Sequence, residues 1–244
     1  MVNKLVLQSV INKYYLGENE SVKWVIKDNI LTINFNSPNK EVIGKIVCNS
    51  FKLEDCNLII FNTKKLSNLL KITAGDLLLE LEKTNNICTK LFVSDPDFKL
   101  SYALADPLVL GKVGTVNEPD WEVVLNLTKE DVANLVKAKS ALADIDNMII
   151  TTELDFNGDM VCKFTFGDEK GHNNKITYEI DGKIDNTKIK LPFNSEMFKN
   201  ILQVNKDTGG GILCLNSKGL MKLKFVSDDI SCEYFLVRKD NSSF

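Results

Sequence analysis

The chain has 244 residues, 44% of them hydrophobic, with a formal net charge of −3 and a pI near 5.4. That is enough apolar material for one large core or two smaller ones, and mild overall acidity by itself points to no nucleic-acid partner. A single histidine, and six cysteines (Cys48, Cys56, Cys88, Cys162, Cys214, Cys232) without C-x-x-C spacing, argue against a zinc framework; the length and the absence of a leader-like start argue against a disulfide scaffold.

The longest apolar runs are strand-length, so no membrane span is expected. The composition fits a reduced, cytoplasmic protein whose cysteines pack as small hydrophobes.

Taken in chain order, the first helical stripe is Leu7, Val10 and Ile11, positions that share one helix face. Three strand-like runs follow, VKWVIKD, ILTINFN and EVIGKIVCN. The strand NLIIF then leads into a second helix, carried by Leu66, Leu69 and Leu70, and into DLLLELE, ICTKLFVSD and FKLSYALA. A Pro- and Gly-marked stretch, ADPLVLGKVGTVNEPD, reads as a connector of about fifteen residues. The strand WEVVLNL leads into a third helix (Val132, Leu135, Val136), followed by NMIITTELDF, MVCKFTFGD and KITYEID. The fourth helix (Phe198, Ile201, Leu202) precedes GGILCLNS, LMKLKFVSD and SCEYFLVRK.

The stripes beginning at Leu66, Val132 and Phe198 are 66 residues apart, and Leu7 lies 59 before the first of them. The repeating unit is therefore strand–helix–strand–strand–strand, four times over. The word FVSD, at Phe92 and again at Phe225, ends the middle strand of the second and fourth repeats. The expected architecture is α+β: two similar domains of two repeats each, spanning 1–106 and 121–244 and joined by a connector at 107–120.

A helix lying on a sheet needs one apolar stripe, which leaves the opposite arc for solvent or a partner. On that arc fall Ser9, Asn68, Asn134 and Asn200, then Asn12, Lys71, Lys137 and Gln203, with Lys64 and Lys199 beside them. The helical windows 4–14, 62–72, 128–140 and 194–206 hold ten lysines and three acidic residues, a net +7; the rest of the chain carries −10. A lysine on an exposed helix is usually there for solubility. Segregation of charge onto four equivalent helices instead suits sequence-independent contact with phosphates. The candidate phosphate-facing set is Lys4, Asn12, Lys13, Lys64, Asn68, Lys71, Asn134, Lys137, Lys199 and Asn200. Lys139 falls near the apolar face, so it is expected to snorkel or to lie past the helix end.

No catalytic set stands out. His172 sits in a polar turn, and TGGGIL lacks the Lys-Ser/Thr of a phosphate loop and reads as a turn. The short acidic words at Asp95–Asp97 and Asp144–Asn147 are turn-like rather than Mg²⁺ sites. No cofactor, metal or catalytic residue is expected.

With these residues in place, the sequence resembles the sliding clamps of DNA replication, in particular those of T-even-type bacteriophages. The resemblance is carried by SYALADPLVL through WEVVLNLTKEDVANLVKAKSAL, by NLIIFNTKKLSNLLKI, by the step Ala105-Asp106-Pro107, and by a polar C-terminus ending in Phe244. It implies the DNA-clamp fold, with three two-domain chains closing a homotrimeric ring whose helices line the hole around double-stranded DNA. It implies a DNA polymerase and an ATP-dependent clamp loader as partners, no membrane, and, for a phage protein, the cytoplasm of the infected host cell. Partner peptides of that family dock in apolar clefts, which here would be built from Pro107 and Leu108 in the connector and from Phe235 and Val237 near the C-terminus. The competing reading is a tandem β-rich phage structural or assembly protein, which has no reason to align lysines on equivalent helix faces.

Overall fold

The computed structural model describes residues 1–167, 174–185 and 187–239. His172 and Phe244, singled out in the sequence, lie outside the described residues.

The fourfold pattern is present. The first two repeats are β1 (Val2–Asn3), α1 (Lys4–Tyr15), β2 (Val22–Lys27), β3 (Ile30–Asn36), β4 (Val42–Cys48), then β5 (Cys56–Ile60), α2 (Thr63–Leu70), β6 (Asp76–Thr84), β7 (Ile87–Ser94) and β8 (Lys99–Ala103). The last two are β9 (Val123–Thr128), α3 (Lys129–Ala141), β10 (Asn147–Leu154), β11 (Met160–Gly167), β12 (Lys175–Asp181), then β13 (Lys183–Ile184), β14 (Lys190–Asn194), α4 (Ser195–Val204), β15 (Gly210–Asn216), β16 (Leu220–Val226) and β17 (Ile230–Val237). Only the two-residue β13 departs from the expected order. Between β8 and β9 the sole regular element is a 3-10 turn, Pro107–Val109.

The chain divides into two compact halves, Met1–Thr115 with Ser227–Cys232, and Val116–Val226 with the segment from Glu233 on. In the first half, β1-β6-β7-β8 form one sheet and β4-β3-β2-β5 lie in hydrogen-bonded order; all these pairs are antiparallel. The second half repeats this with β12-β11-β10-β14 and β13-β9-β15-β16-β17.

Alternation sets which faces are buried. Val22, Trp24 and Ile26 on β2 point inward while Lys23 and Lys27 face solvent. Trp24 meets Tyr14 of α1 edge-on (6.4 Å between centroids) and Phe51 likewise (6.0 Å), so the first helix is anchored by aromatic packing. In the second half, Phe164 of β11 stacks on Phe198 of α4 at 5.9 Å. Each such buried side chain contributes about 1.5–3 kcal/mol. Gly44 lies opposite Phe35, and a Cβ there would sit 2.2 Å from the ring; Gly211 is held the same way at 2.6 Å by Phe225. In both halves the glycine lets a phenylalanine lie flat across the neighbouring strand.

The two FVSD words end β7 and β16, and their polar residues close turns. Asp95 accepts hydrogen bonds from the Asp97 and Phe98 N–H groups (2.9 and 2.7 Å), and Ser227 N–H donates to the Ile230 carbonyl (2.8 Å). The glycines of TGGGIL open β15. Gly209 has φ +77°, and a Cβ on Gly210 (φ +141°) would lie 2.3 Å from the Leu127 carbonyl oxygen. No disulfide links the six cysteines, all but Cys56 buried; among the described residues, no cluster of three metal-ligating side chains occurs and no helix is long and apolar enough to cross a membrane.

Candidate nucleic-acid interface

In each half two helices pack side by side, α1 with α2 and α3 with α4. Each starts on a side-chain cap: Asn3 accepts from Leu5 N–H (2.9 Å), Asn62 from Lys65 N–H (2.8 Å) and Asn194 from Met197 N–H (3.0 Å). Thr128 and Asp131 form a reciprocal capping box on α3. Asp131 also accepts from Tyr178 Oη (2.8 Å). Burial works to raise its pKa, but the hydrogen bonds from Thr128 and Tyr178 outweigh it and leave it lowered, so this helix start carries a charged carboxylate.

The lysines divide into two groups. On α2, Lys64, Asn68 and Lys71 are exposed at i, i+4 and i+7, one continuous face, with Lys65 beside it. Lys71 Nζ donates to Asn68 Oδ1 (2.7 Å); the Lys64 backbone N–H donates to Glu20 Oε2 (3.0 Å), but among the described residues no carboxylate is bonded to the ammonium group of any of these lysines. On α3, Lys137 and Lys129 are exposed in the same way, with Glu130, Ala133 and Ser140 on the same surface. These five lysines present the positive charge.

The second group is bound into the protein. Lys4 Nζ is held by the Lys71 and Thr73 carbonyls, so it caps the C-terminal end of α2 across the helix pair. Lys139, only 1% exposed, donates to the Ala143 and Leu142 carbonyls (2.9 and 3.4 Å) just past its own helix and meets Glu196 of α4 at 3.3 Å. Lys199 pairs with the same Glu196 at 2.6 Å. Burial alone would raise the Glu196 pKa; the contacts from Lys199 and Lys139 reverse that and hold it low.

The structure corrects the sequence reading at several positions. Lys13 is 1% exposed and cannot face a phosphate. The solvent arc of α1 is narrow, centred on Leu5 and Asn12 seven residues apart, and Lys13 is one step round toward the packed side. Lys4 and Lys199 are engaged as described. Asn134 is half-buried and donates to Tyr178 Oη (3.3 Å), and Asn200 is half-buried on a helix whose only exposed residue is Gln203. Asn12, Lys64, Asn68, Lys71 and Lys137 remain on open surface. Lys65 and Lys129 were outside the candidate set although they flank the same faces; their signal was the charge count of the windows.

In the connector, Asp106 Oδ1 accepts from Leu108 N–H (2.8 Å) and fixes a turn that presents Pro107, Leu108 (92% exposed) and Val109 to solvent. Val237 is exposed at the end of β17. Phe235, by contrast, is 9% exposed with Lys222 Nζ 5.5 Å above its ring, so it is a packed residue and not a cleft wall.

No family model matches the sequence, and no curated protein matches it. Solved structures do. The chain is similar to the proliferating cellular nuclear antigen (PCNA) of Entamoeba histolytica over 98% of its length and 96% of that chain, with TM-score 0.76 and 12% identity. It matches the PCNA chain in the structure of the C-terminal region of FEN-1 bound to A. fulgidus PCNA over 99% and 98%, with TM-score 0.76 and 16% identity. A chain of the PCNA2–PCNA3 complex from Sulfolobus tokodaii matches over 98% and 98%, with TM-score 0.74 and 11% identity. The protein has the PCNA-type sliding-clamp fold from end to end.

Proposed function

We propose that the protein is a sliding clamp, a polymerase processivity factor that encircles duplex DNA without reading its sequence. The observation that carries this reading is the combination of a full-length clamp fold with exposed lysines on α2 and α3 whose ammonium groups meet no carboxylate among the described residues of an otherwise acidic chain. A ring that slides needs weak, salt-sensitive phosphate contacts on its inner side and no base contacts. Lys64, Lys65, Lys71, Lys129 and Lys137, with Asn12 and Asn68, are the residues assigned to that role.

Ring closure would come from three copies. In the sheet β1-β6-β7-β8 the strand β8 is an outer edge, and in β12-β11-β10-β14 so is β12. Open edges call for a partner, and pairing two different edges head to tail closes a ring when the rotation permits. The ring would be set on DNA by an ATP-dependent loader, and polymerase would be held at the primer end by effective concentration. The turn at Pro107 and Leu108 and the exposed Val237 are the surfaces assigned to partner peptides; the FEN-1 segment bound to A. fulgidus PCNA is a precedent for a peptide on this fold. Membership of the T-even-type phage family, and action in the cytoplasm of an infected cell, rest on the sequence words around SYALADPLVL and NLIIFNTKKLSNLLKI.

The test is mass in solution and stimulation of the cognate polymerase. Three chains of 27.4 kDa give a particle of about 82 kDa. A stable monomer that fails to stimulate its polymerase would sink the proposal.

A further inference from the structure

The internal duplication exposes a strand-sized gap in the first half. β1 and β9 hold equivalent places: each ends on the N-cap residue of its half's first helix, Asn3 and Thr128. Each pairs antiparallel with the strand that follows the second helix, β6 and β15. The extent differs. β9 covers six positions, from Thr128 opposite Gly210 to Val123 opposite Leu215. β1 covers two, Asn3 opposite Asp76 and Val2 opposite Leu77.

Superposing the two ladders on their cap residues matches Leu79, Glu80 and Leu81 to Leu213, Cys214 and Leu215. In the second half those three face Leu125, Val124 and Val123. In the first half their outer backbone edge meets no strand among the described residues. The same three residues form one wall of an open cavity of about 790 Å³, whose other wall includes Ser50, Leu53 and Glu54. That volume lies within the ~300–1,000 Å³ of ligand pockets.

We propose that this cavity receives an extended segment of a partner protein, which adds to the outer edge of β6 antiparallel to it, in the place β9 fills in the second half. Main-chain hydrogen bonds to an open strand edge supply affinity, and alternate side chains supply choice. Leu79 is buried and Leu81 half-buried on the inner side, so the residues opposite them are apolar, as Leu125 and Val123 are. Glu80 is exposed on the other face, and its ion pair with Lys99 is long at 3.9 Å. Glu54 is already held by Lys83 at 2.9 Å, and Lys52 stands on the same opposite wall, so Glu80, the charge on β6 itself, sets the middle preference. The segment therefore reads apolar–basic–apolar. The inference does not depend on the clamp reading.

The test uses the full chain and a fluorescent nonapeptide copying residues 121–129, WEVVLNLTK, in which β9 supplies a ready occupant. Anisotropy should saturate, and Val124→Lys in the peptide should tighten binding about 2–5-fold through Glu80. With Glu80→Lys protein, whose thermal melt should match the parent because the site is surface, the order should reverse in favour of a Val124→Glu peptide. Proline in place of Leu125 in the peptide should abolish binding by removing a main-chain donor. Absence of saturable binding overturns the proposal, as does binding indifferent to both Glu80→Lys and the proline. If Glu80→Lys instead dissolves an assembly of this chain with itself, the edge belongs to a second copy and the partner-segment proposal is overturned.

Discussion

Lys137 and Lys139 lie two residues apart on α3 and should respond oppositely to substitution. Lys139 is enclosed; its ammonium bonds the Ala143 and Leu142 carbonyls and Glu196. Lys139→Met keeps the volume of the stem but strands those carbonyls. A buried polar group left unsatisfied costs about 1–3 kcal/mol. Glu196 retains Lys199 and is about half-exposed, so solvent offsets its own loss, and about 1–2 kcal/mol is expected overall. At about 2–4 °C per kcal/mol for a chain of this size, the melting midpoint should fall by roughly 2–8 °C. Lys137 is exposed and bonded to no carboxylate among the described residues, so Lys137→Glu should change stability by less than about 0.5 kcal/mol. Its effect should appear on DNA, where each lost phosphate contact lowers the slope of log affinity against log salt by about 0.9. Thermal melts measure the first effect, and salt-graded equilibrium binding to short linear duplex, where topology does not hold the protein, measures the second. The reasoning is refuted if Lys137→Glu destabilises as much as Lys139→Met, or if Lys139→Met weakens binding to linear duplex with an unchanged melt.

Three further outcomes follow from the same structure. Glu196 has a lowered folded pKa, so its contribution is present above the unfolded value of about 4.3 and is lost as pH falls through the folded one; stability of the parent should therefore drop more steeply below about pH 4.3 than that of Glu196→Gln, followed by denaturant titration at stepped pH. Burial pushes the Cys48 thiol up to about 11 and those of Cys56 and Cys162 up to about 12, so native protein should react slowly with iodoacetamide at pH 8, and all six cysteines should react once unfolded, as counted by mass spectrometry. Leu108→Asp should leave the melt within about 1–2 °C of the parent, because its side chain touches little, yet weaken capture of a partner peptide, read by calorimetry.

Much of the fold was legible because helix and strand periods are strong local signals. The stripes at Leu66, Val132 and Phe198 marked three helices, and their spacing marked the repeats. The first repeat was harder to read, since a two-residue β1 has no pattern of its own. β13 was unreadable for the same reason. At the candidate site, the inward position of Lys139 followed from its seven-residue separation from Val132. Lys13 did not, because its burial depends on what packs against the flank of α1, a tertiary fact. Phe235 entered the cleft only through the family resemblance, which carries no burial information; here Tyr234, Phe235 and Leu236 are buried in succession on a strand covered on both faces. The roles of Lys4 and Lys199 were hidden because a charge count cannot separate a lysine bonded to carbonyls or glutamate from one open to solvent.

The most direct test of the clamp account is retention on DNA after loading. Protein loaded by the cognate loader onto a nicked circle should stay, and should leave within the dead time once the circle is linearised, because topology and not affinity holds it. Equal lifetimes on circular and linear DNA would contradict the account.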